Sequence, residues 1–161
     1  MGFVLHPRLM ADTAVVVDWS LSRVLLMNDK RFPWVVLVPR RPNVVELFDL
    51  DEPCRLQLTS EITRAAERLK GWARTHGGAD KINVGMIGNL VPQLHVHVVA
   101  RKRGDAVWTG TVWGAGQAEH YGAAEWMRVA SNACSLSASQ SLPFASLMLI
   151  VPCGRRPRAE S

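Results

Sequence analysis

The chain has 161 residues, enough for one domain with a sizeable hydrophobic core. Hydrophobic residues make up 48% and charged residues 20%, which excludes an intrinsically disordered protein. The formal net charge of +5 favours anionic ligands. Basic residues form three short runs, Arg40-Arg41, Arg101-Lys102-Arg103 and Arg155-Arg156. Because no nucleic-acid-binding motif accompanies them, we interpret these runs as solvated surface and expect no nucleic-acid partner.

The cysteines and the apolar stretches bear on the compartment. Cys54, Cys134 and Cys153 lie far apart without a CxxC spacing, which predicts free thiols rather than a disulfide framework or a zinc site. The N-terminus does not have the pattern of a signal peptide. The most apolar stretch, Leu142–Val151, is too short to span a bilayer. These features predict a soluble cytoplasmic protein with no membrane partner.

The first part of the chain is rich in β-branched residues between polar breaks. A short helix is expected from His6 to Asp12, and Ser20–Arg23 is expected to be a turn. Three strands are predicted, the first two forming a hairpin: Thr13–Asp18, Val24–Asn28 and Trp34–Pro39.

The remainder of the chain changes from helical to strand periodicity. Apolar residues recur at three- and four-residue spacing and predict one long helix that Gly77-Gly78 ends, with Asp49 and Asp51 as candidate caps; they are Leu58, Ile62, Ala65, Leu69 and Trp72. Strands over Lys81–Met86 and Leu94–Ala100 and a shorter helix over Glu119–Cys134 follow. This order predicts an α+β fold with a largely antiparallel, five-stranded sheet.

The segment that carries chemistry runs from Gly88 to Arg101. Residues two apart on a strand point to the same face, so Gln93, His95 and His97 are predicted to form one polar row. The opposite row of Leu94, Val96 and Val98 is predicted to face the core. One neutral imidazole can attack phosphorus, while its neighbours stabilise the charge that develops on the oxygens. The loop with Gly88 and Asn89 can bring further donors to a phosphate.

This segment resembles the signature of the histidine triad (HIT) superfamily, His-φ-His-φ-His-φ-φ, where φ is apolar. Here it reads Gln93-Leu94-His95-Val96-His97-Val98-Val99, and the continuation Arg101–Asp105 is similar to that of diadenosine-polyphosphate-hydrolysing members. The resemblance extends from Thr13 to about Asp105. We expect a single HIT-like domain over 1–135 and a C-terminal extension over 136–161. The resemblance does not explain about the last 50 residues, and the tail from Arg155 to Ser161 is expected to be mobile from its terminal position.

The resemblance also implies roles for individual residues. It implies that His95 forms a covalent nucleotidyl-phosphohistidine, that His97 contacts phosphate oxygens and that Gln93 braces the site. The implied substrate-binding residues are Gly88 and Asn89 before the signature, Asn28 for the ribose hydroxyls and Asn83, which would order the loop. One of Trp108 and Trp113, after the signature, could cover the pocket.

Two departures from the family pattern leave alternatives open. Gln93 replaces the first histidine, and Trp34 falls where several members carry another histidine near the phosphates. Because both changes bear on turnover, a binding module that has lost catalysis is the second interpretation. A zinc or copper site on His95 and His97 ranks last, because no third ligand is evident nearby.

The implied function is hydrolysis or nucleotidyl transfer at the α-phosphorus of nucleoside polyphosphates or phosphoramidates. The expected partners are a small-molecule nucleotide and a second copy of the chain in a homodimer. No cofactor or protein-bound metal is required for the chemical step, although Mg²⁺ can coordinate the substrate's phosphates.

Overall fold

The computed structural model describes residues 2–74 and 77–133, so the predicted boundary at 135/136 lies outside the described residues. Three helices and five strands follow one another along the chain. In chain order they are α1 (Pro7–Asp12), β1 (Thr13–Asp18), β2 (Ser22–Met27), β3 (Trp34–Pro39), α2 (Glu52–Arg74), β4 (Lys81–Gly85), β5 (Val96–Arg101) and α3 (Ala123–Ala133).

The strands form one antiparallel sheet in the order β1-β2-β3-β5-β4. The predicted α+β class, with five strands and one long helix, is therefore confirmed. Strand β5 lies between β3 and β4, and His97 is in register with Val36 on one side and Gly85 on the other. The His97 backbone is therefore paired with a neighbouring strand on both sides.

Helix α2 covers one face of the sheet, against β3 and β5. The predicted stripe is buried at Leu58, Ala65 and Leu69, and Ile62 and Trp72 pack at its margin. Asp51 caps the helix by accepting a hydrogen bond from the Cys54 backbone N–H, as predicted. On the sheet, Leu94, Val96 and Val98 face this helix, which confirms the predicted core row.

A buried carboxylate on α2 was not predicted. Glu61 accepts hydrogen bonds from the backbone N–H groups of Leu21 and Ser22, each at 2.9 Å. These donors lie in the β1–β2 turn, so Glu61 joins the helix to the hairpin. No residue pattern indicates this contact, because its donors are backbone groups 40 and 39 residues away along the chain.

The opposite face of the sheet carries Trp34, Val36, Val38, His97 and Val99. It is covered by the N-terminal segment, through Leu5 and Leu9, and by the chain after β5, through Val112. Within 2–74 and 77–133, no helix has the length and apolar character needed to cross a membrane.

Several element boundaries differ from prediction by one to four residues, and local hydrogen bonds account for two of the larger differences. Strand β2 begins two residues early, at Ser22, whose amide is bonded to Glu61. Strand β5 begins at Val96 rather than Leu94, since the Leu94 amide donates to the carbonyl of Val44 instead of to a neighbouring strand. Helix α3 begins at Ala123 rather than Glu119, and the predicted end at Cys134 lies outside the described residues.

The prediction of three free thiols is wrong for Cys54. This residue is buried at the start of α2 and is disulfide-bonded. The spacing of the cysteines along the chain could not indicate the pairing, because a disulfide depends on how the fold brings Cβ atoms together.

Candidate active site

His95 lies immediately before β5 and is only 5% exposed. Its Nδ1 atom is 2.7 Å from the backbone carbonyl oxygen of Gln93. A carbonyl oxygen only accepts hydrogen bonds, so Nδ1 carries the proton of the neutral ring. The Nε2 atom of His95 is then left with a free lone pair, which is what a nucleophile requires.

His97 has the opposite arrangement. It is 6% exposed, and its Nδ1 atom accepts a hydrogen bond of 3.1 Å from the indole Nε1–H of Trp34. Burial, with a smaller contribution from the charge of His95, lowers the pKa of His97 to about 4, and the backbone of Ile87 opposes this shift. His97 is therefore neutral near pH 7.

The structure brings the two imidazoles together. Their ring centroids are 4.8 Å apart and the rings are nearly perpendicular, with an interplanar angle of 84°. One ring presents a lone pair and its neighbour presents an N–H group. The pair can therefore supply an attacking nitrogen and a hydrogen-bond donor to the same phosphoryl group.

The backbone carbonyl of Gln93 accepts the hydrogen bond from His95, whereas the Gln93 side chain bonds to the N-terminal segment. The side-chain Nε2 donates to the carbonyl of Val4 at 2.8 Å, and Oε1 accepts from the amide of His6 at 2.9 Å. The predicted polar row is thus divided: His95 and His97 lie together, and the Gln93 side chain anchors the N-terminal segment.

The loop before the histidines lies against His95. The Val91 amide donates to the Gly88 carbonyl at 3.1 Å and closes a turn that carries the exposed Asn89. A Cβ atom on Gly88 would be 3.4 Å from Cε1 of the His95 ring and 3.1 Å from the Val91 carbonyl oxygen. Gly88 therefore allows the turn to approach the imidazole closely.

The two other predicted asparagines have protein partners. Asn28 follows β2, accepts a hydrogen bond from the Tyr121 amide and lines a cavity of about 330 Å³ together with Trp34 and Trp113. Both of those tryptophans contact His97, so the structure connects Asn28 to the site through this cavity. The side chain of Asn83 accepts a hydrogen bond from Arg101 and is not joined to the histidines.

Residues 102–122, which we call the covering loop, cross the face of the sheet that carries His97. The ring of Trp113 lies 5.8 Å from that of His97 and 6.4 Å from that of Trp34. A Cβ atom on Gly85 would be 2.8 Å from the Trp113 ring, so the glycine makes room for the indole. Of the two tryptophans considered from sequence, Trp113 covers the site and Trp108 packs on Arg101.

One end of the covering loop is held by Arg101. The guanidinium is 2% exposed, forms two hydrogen bonds with the Asp105 carboxylate at 2.6 and 2.7 Å, and donates to the Gly110 carbonyl at 2.9 Å. The Arg101 guanidinium lowers the pKa of Asp105 by hydrogen bonding. The interpretation of Arg101 as part of a solvated basic run is therefore wrong, because the fold buries it beside a carboxylate.

A second arginine–aspartate pair holds the other end. Arg31 is bonded to the buried Asp29 at 2.6 and 2.9 Å and donates to the Ala115 carbonyl at 2.8 Å. Asp29 also accepts from the Glu119 amide at 3.4 Å. Burial raises the pKa of Asp29, but the hydrogen bonds from Arg31 outweigh it and the net shift is downward. Sequence reasoning missed both pairs, since each looks like ordinary surface charge.

The site has no evident metal ligands beyond the histidine pair. Throughout 2–74 and 77–133, no cluster of three or more His, Cys, Asp or Glu side chains could hold an ion.

The indole Nε1–H of Trp113 is buried and has no hydrogen-bond partner within these residues.

Comparison with known proteins matches the HIT domain model to residues 8–104. The structure is similar to a histidine triad protein from Bradyrhizobium japonicum, with 44% identity and a TM-score of 0.76 over 83% of this chain and 96% of the other. It is also similar to one from Sinorhizobium meliloti (41%, TM-score 0.75, 83% and 96%) and one from Marinobacter aquaeolei (38%, TM-score 0.77, 84% and 96%). No curated protein matches the chain. A histidine pair at the start of strand β5, a domain match over more than half of the chain and these relatives together place the protein in the HIT family.

Proposed function

We propose that this HIT-family protein is a nucleotide hydrolase or nucleotidyl transferase that forms a covalent nucleotidyl-histidine at His95. The substrate would be a nucleoside polyphosphate or phosphoramidate, attacked at the α-phosphorus. The observation that carries the proposal is the hydrogen bond from His95 Nδ1 to the Gln93 carbonyl, which leaves the Nε2 lone pair free in the correct tautomer.

The reaction would proceed in two displacements. In the first, the Nε2 lone pair of His95 forms a bond to the α-phosphorus, and the bond to the leaving group breaks with its electron pair going to that group. In the second, the oxygen of water or of an acceptor alcohol bonds to phosphorus, a proton is released to solvent, and the N–P electron pair returns to Nε2. The N–H of His97 would donate to a non-bridging oxygen in both steps.

The other binding residues and partners are part of the same proposal. Asn89 and Gly88 would contact phosphate oxygens from the turn beside His95, and Asn28 would contact the ribose from the adjoining cavity. No cofactor takes part, and Mg²⁺ would reach the site only on the phosphates of the substrate. The protein would act in the cytoplasm as a homodimer.

Trapping the intermediate tests the proposal. The protein would be mixed with a panel of nucleoside polyphosphates and phosphoramidates, quenched within seconds and measured by intact-mass spectrometry. A mass increase of one nucleoside monophosphate residue, mapped to His95 by fragmentation at neutral pH, is expected. Product release without any adduct at His95, over quench times shorter than one turnover, would contradict the covalent route.

A nucleotide-binding module with weak or no catalysis is the second candidate. The observation that favours it is the burial of both imidazoles, with Trp113 of the covering loop packed against His97. Calorimetric binding of a nucleotide that yields neither an adduct nor a product would support this candidate over the enzyme.

A further inference from the structure

The two imidazoles have partners of opposite hydrogen-bonding character. Nδ1 of His95 meets a carbonyl oxygen, which can only accept, and Nδ1 of His97 meets the indole N–H of Trp34, which can only donate. A neutral imidazole has one donor and one acceptor nitrogen. The partners therefore leave an acceptor at Nε2 of His95 and place the proton of His97 at Nε2. The hydrogen bond between this ring and the Ile87 backbone would be exchanged for one to a substrate oxygen.

We propose that Trp34 is a positioning residue that fixes His97 as a neutral Nε2–H donor, and that the site consequently favours substrates whose leaving group is a phosphate over those whose leaving group is an amine. The inference rests on the proposed attack by His95. It assigns a role to Trp34, one of the two residues at which the sequence departs from the family pattern.

Trp34 disfavours two forms of His97, the neutral tautomer with its proton on Nδ1 and the protonated imidazolium. In the imidazolium both ring nitrogens carry protons, so Nδ1–H would point at the indole N–H and the 3.1 Å hydrogen bond would be lost. Burial lowers the pKa of His97 in the same direction. Among the described groups that face the ring, Trp34, Trp113 and the Ile87 backbone are uncharged, and His95 is titratable. His97 is therefore a hydrogen-bond donor that does not release its proton to a leaving group.

The first position of the signature does not supply a proton either. Gln93 is an amide without a titratable proton, and its side chain is bonded to Val4 and His6. A phosphate chain leaves as a stable anion that takes the P–O electron pair and needs no proton. An amine must gain a proton as the P–N bond breaks, and such general-acid assistance is worth about 10²–10⁴-fold in rate. The first displacement should therefore be slower with an amine leaving group.

The tautomer can be measured in the free protein, without any substrate. Long-range ¹H–¹⁵N spectra of ¹⁵N-histidine-labelled protein distinguish the Nε2–H form, the Nδ1–H form and the imidazolium. In the wild type we expect His97 to be in the Nε2–H form from pH 8 to pH 5. Trp34→Phe removes the donor and should raise the Nδ1–H population about fivefold or more, the factor expected for one hydrogen bond.

Trp113→Phe is the matched control, because Trp113 also lies against His97 but forms no hydrogen bond with it. It should leave the His97 tautomer unchanged. If Trp34→Phe proves poorly folded by circular dichroism, the wild-type spectrum alone decides: a dominant Nδ1–H form or an imidazolium at pH 6 would overturn the role of Trp34. An equal shift in both tryptophan variants would overturn it as well.

The leaving-group preference is tested with two substrates that pass through the same adenylyl-His95 intermediate. Diadenosine tetraphosphate and adenosine 5′-phosphoramidate differ only in the group that departs. The wild type should have the larger kcat/KM for the polyphosphate, and Trp34→His, which adds a titratable imidazole, should raise the amidate-to-polyphosphate ratio about tenfold.

Two results separate this inference from the proposed function. A wild-type preference for the phosphoramidate would overturn the leaving-group argument while leaving the covalent mechanism intact. The absence of reaction with both substrates would overturn the proposed function, and the tautomer spectra would still decide the role of Trp34.

Discussion

At the scale of the residue, the ring nitrogen that carries the proton determines what each histidine can do chemically. His95 and His97 are the same residue type two positions apart, yet a carbonyl beside one and an indole beside the other give their Nε2 atoms opposite functions. The nucleophile and the donor are thus defined by their partners. Substitutions at this scale should separate the chemistry from the fold.

His95→Asn should abolish turnover, because the covalent route has no other nucleophile. Nucleotide binding should weaken by no more than about tenfold, since ribose and phosphate contacts remain, a change of about 1.4 kcal/mol. Steady-state kinetics and calorimetry of the same preparation measure the two effects. Wild-type turnover by the mutant would show that His95 is not the nucleophile.

Gln93→Leu should act mainly on the N-terminal segment. The substitution keeps the backbone carbonyl that orients His95 but leaves the Val4 carbonyl and the His6 amide without their partner. A typical hydrogen bond contributes about 0.5–1.5 kcal/mol to stability, and these two are exposed or only partly buried, so the loss should be at the low end of that range for each. For Gln93→Leu we expect a lower Tm and faster hydrogen exchange over residues 4–6. Gln93→His, which keeps a polar side chain, should retain more activity than Gln93→Leu. Equal exchange and Tm in Gln93→Leu and wild type would contradict this role.

At the scale of the element, the covering loop is the part of the molecule that closes the site. It has no regular secondary structure between β5 and α3, and two arginine–aspartate pairs hold its ends. Its centre places Trp113 over His97. The two charge pairs therefore contribute to the position of the loop, together with the apolar packing of Val112 and Trp113 and the backbone hydrogen bond from Lys30 to Glu119.

The acid sensitivity of the loop follows from Asp105. Its pKa is lowered below the ordinary value of 3.8 by Arg101, so its contribution to stability is complete above that value and is lost as the pH falls through the lower folded pKa. Asp105→Asn should remove this dependence and leave the buried Arg101 uncompensated, a destabilisation of about 3–5 kcal/mol.

Urea unfolding between pH 7 and pH 2.5 measures both effects of Asp105→Asn. Asp51→Asn at the N-terminus of α2 is a suitable comparison, because it changes a carboxylate that caps a helix rather than one paired with a buried arginine. A loss of stability no larger at Asp105 than at Asp51 would contradict a specific role for the Arg101 pair.

At the scale of the whole molecule, β4 forms an edge of the sheet. Strand β4 pairs with β5 on one side only. Val84 in this strand is 46% exposed, and Met86 just after it is 43% exposed. An unpaired edge with apolar side chains is a template for pairing with a second chain. This supports the expected homodimer.

Light scattering should therefore give about twice the chain mass of 17.8 kDa at micromolar concentration. Val84→Lys should shift the protein towards the monomer, because a charge at the edge opposes pairing. Val15→Lys on β1, at the other edge of the sheet and 55% exposed, is the matched control and should remain dimeric. A wild-type mass of one chain would contradict the homodimer.

The succession of strands along the chain, the long helix and the histidine pair could all be predicted from the residue pattern, because hydrophobic periodicity and residue type are local properties. It also pointed to Trp34 as a departure, without indicating what the indole does. The folded arrangement was needed to show that Trp34 donates to His97, that Gln93 anchors the N-terminal segment and that Arg101 is buried. Each of these depends on groups that are distant in sequence or on burial by a loop. Hydrogen-bond direction and burial arise from the folded arrangement, and no periodicity in the chain encodes them.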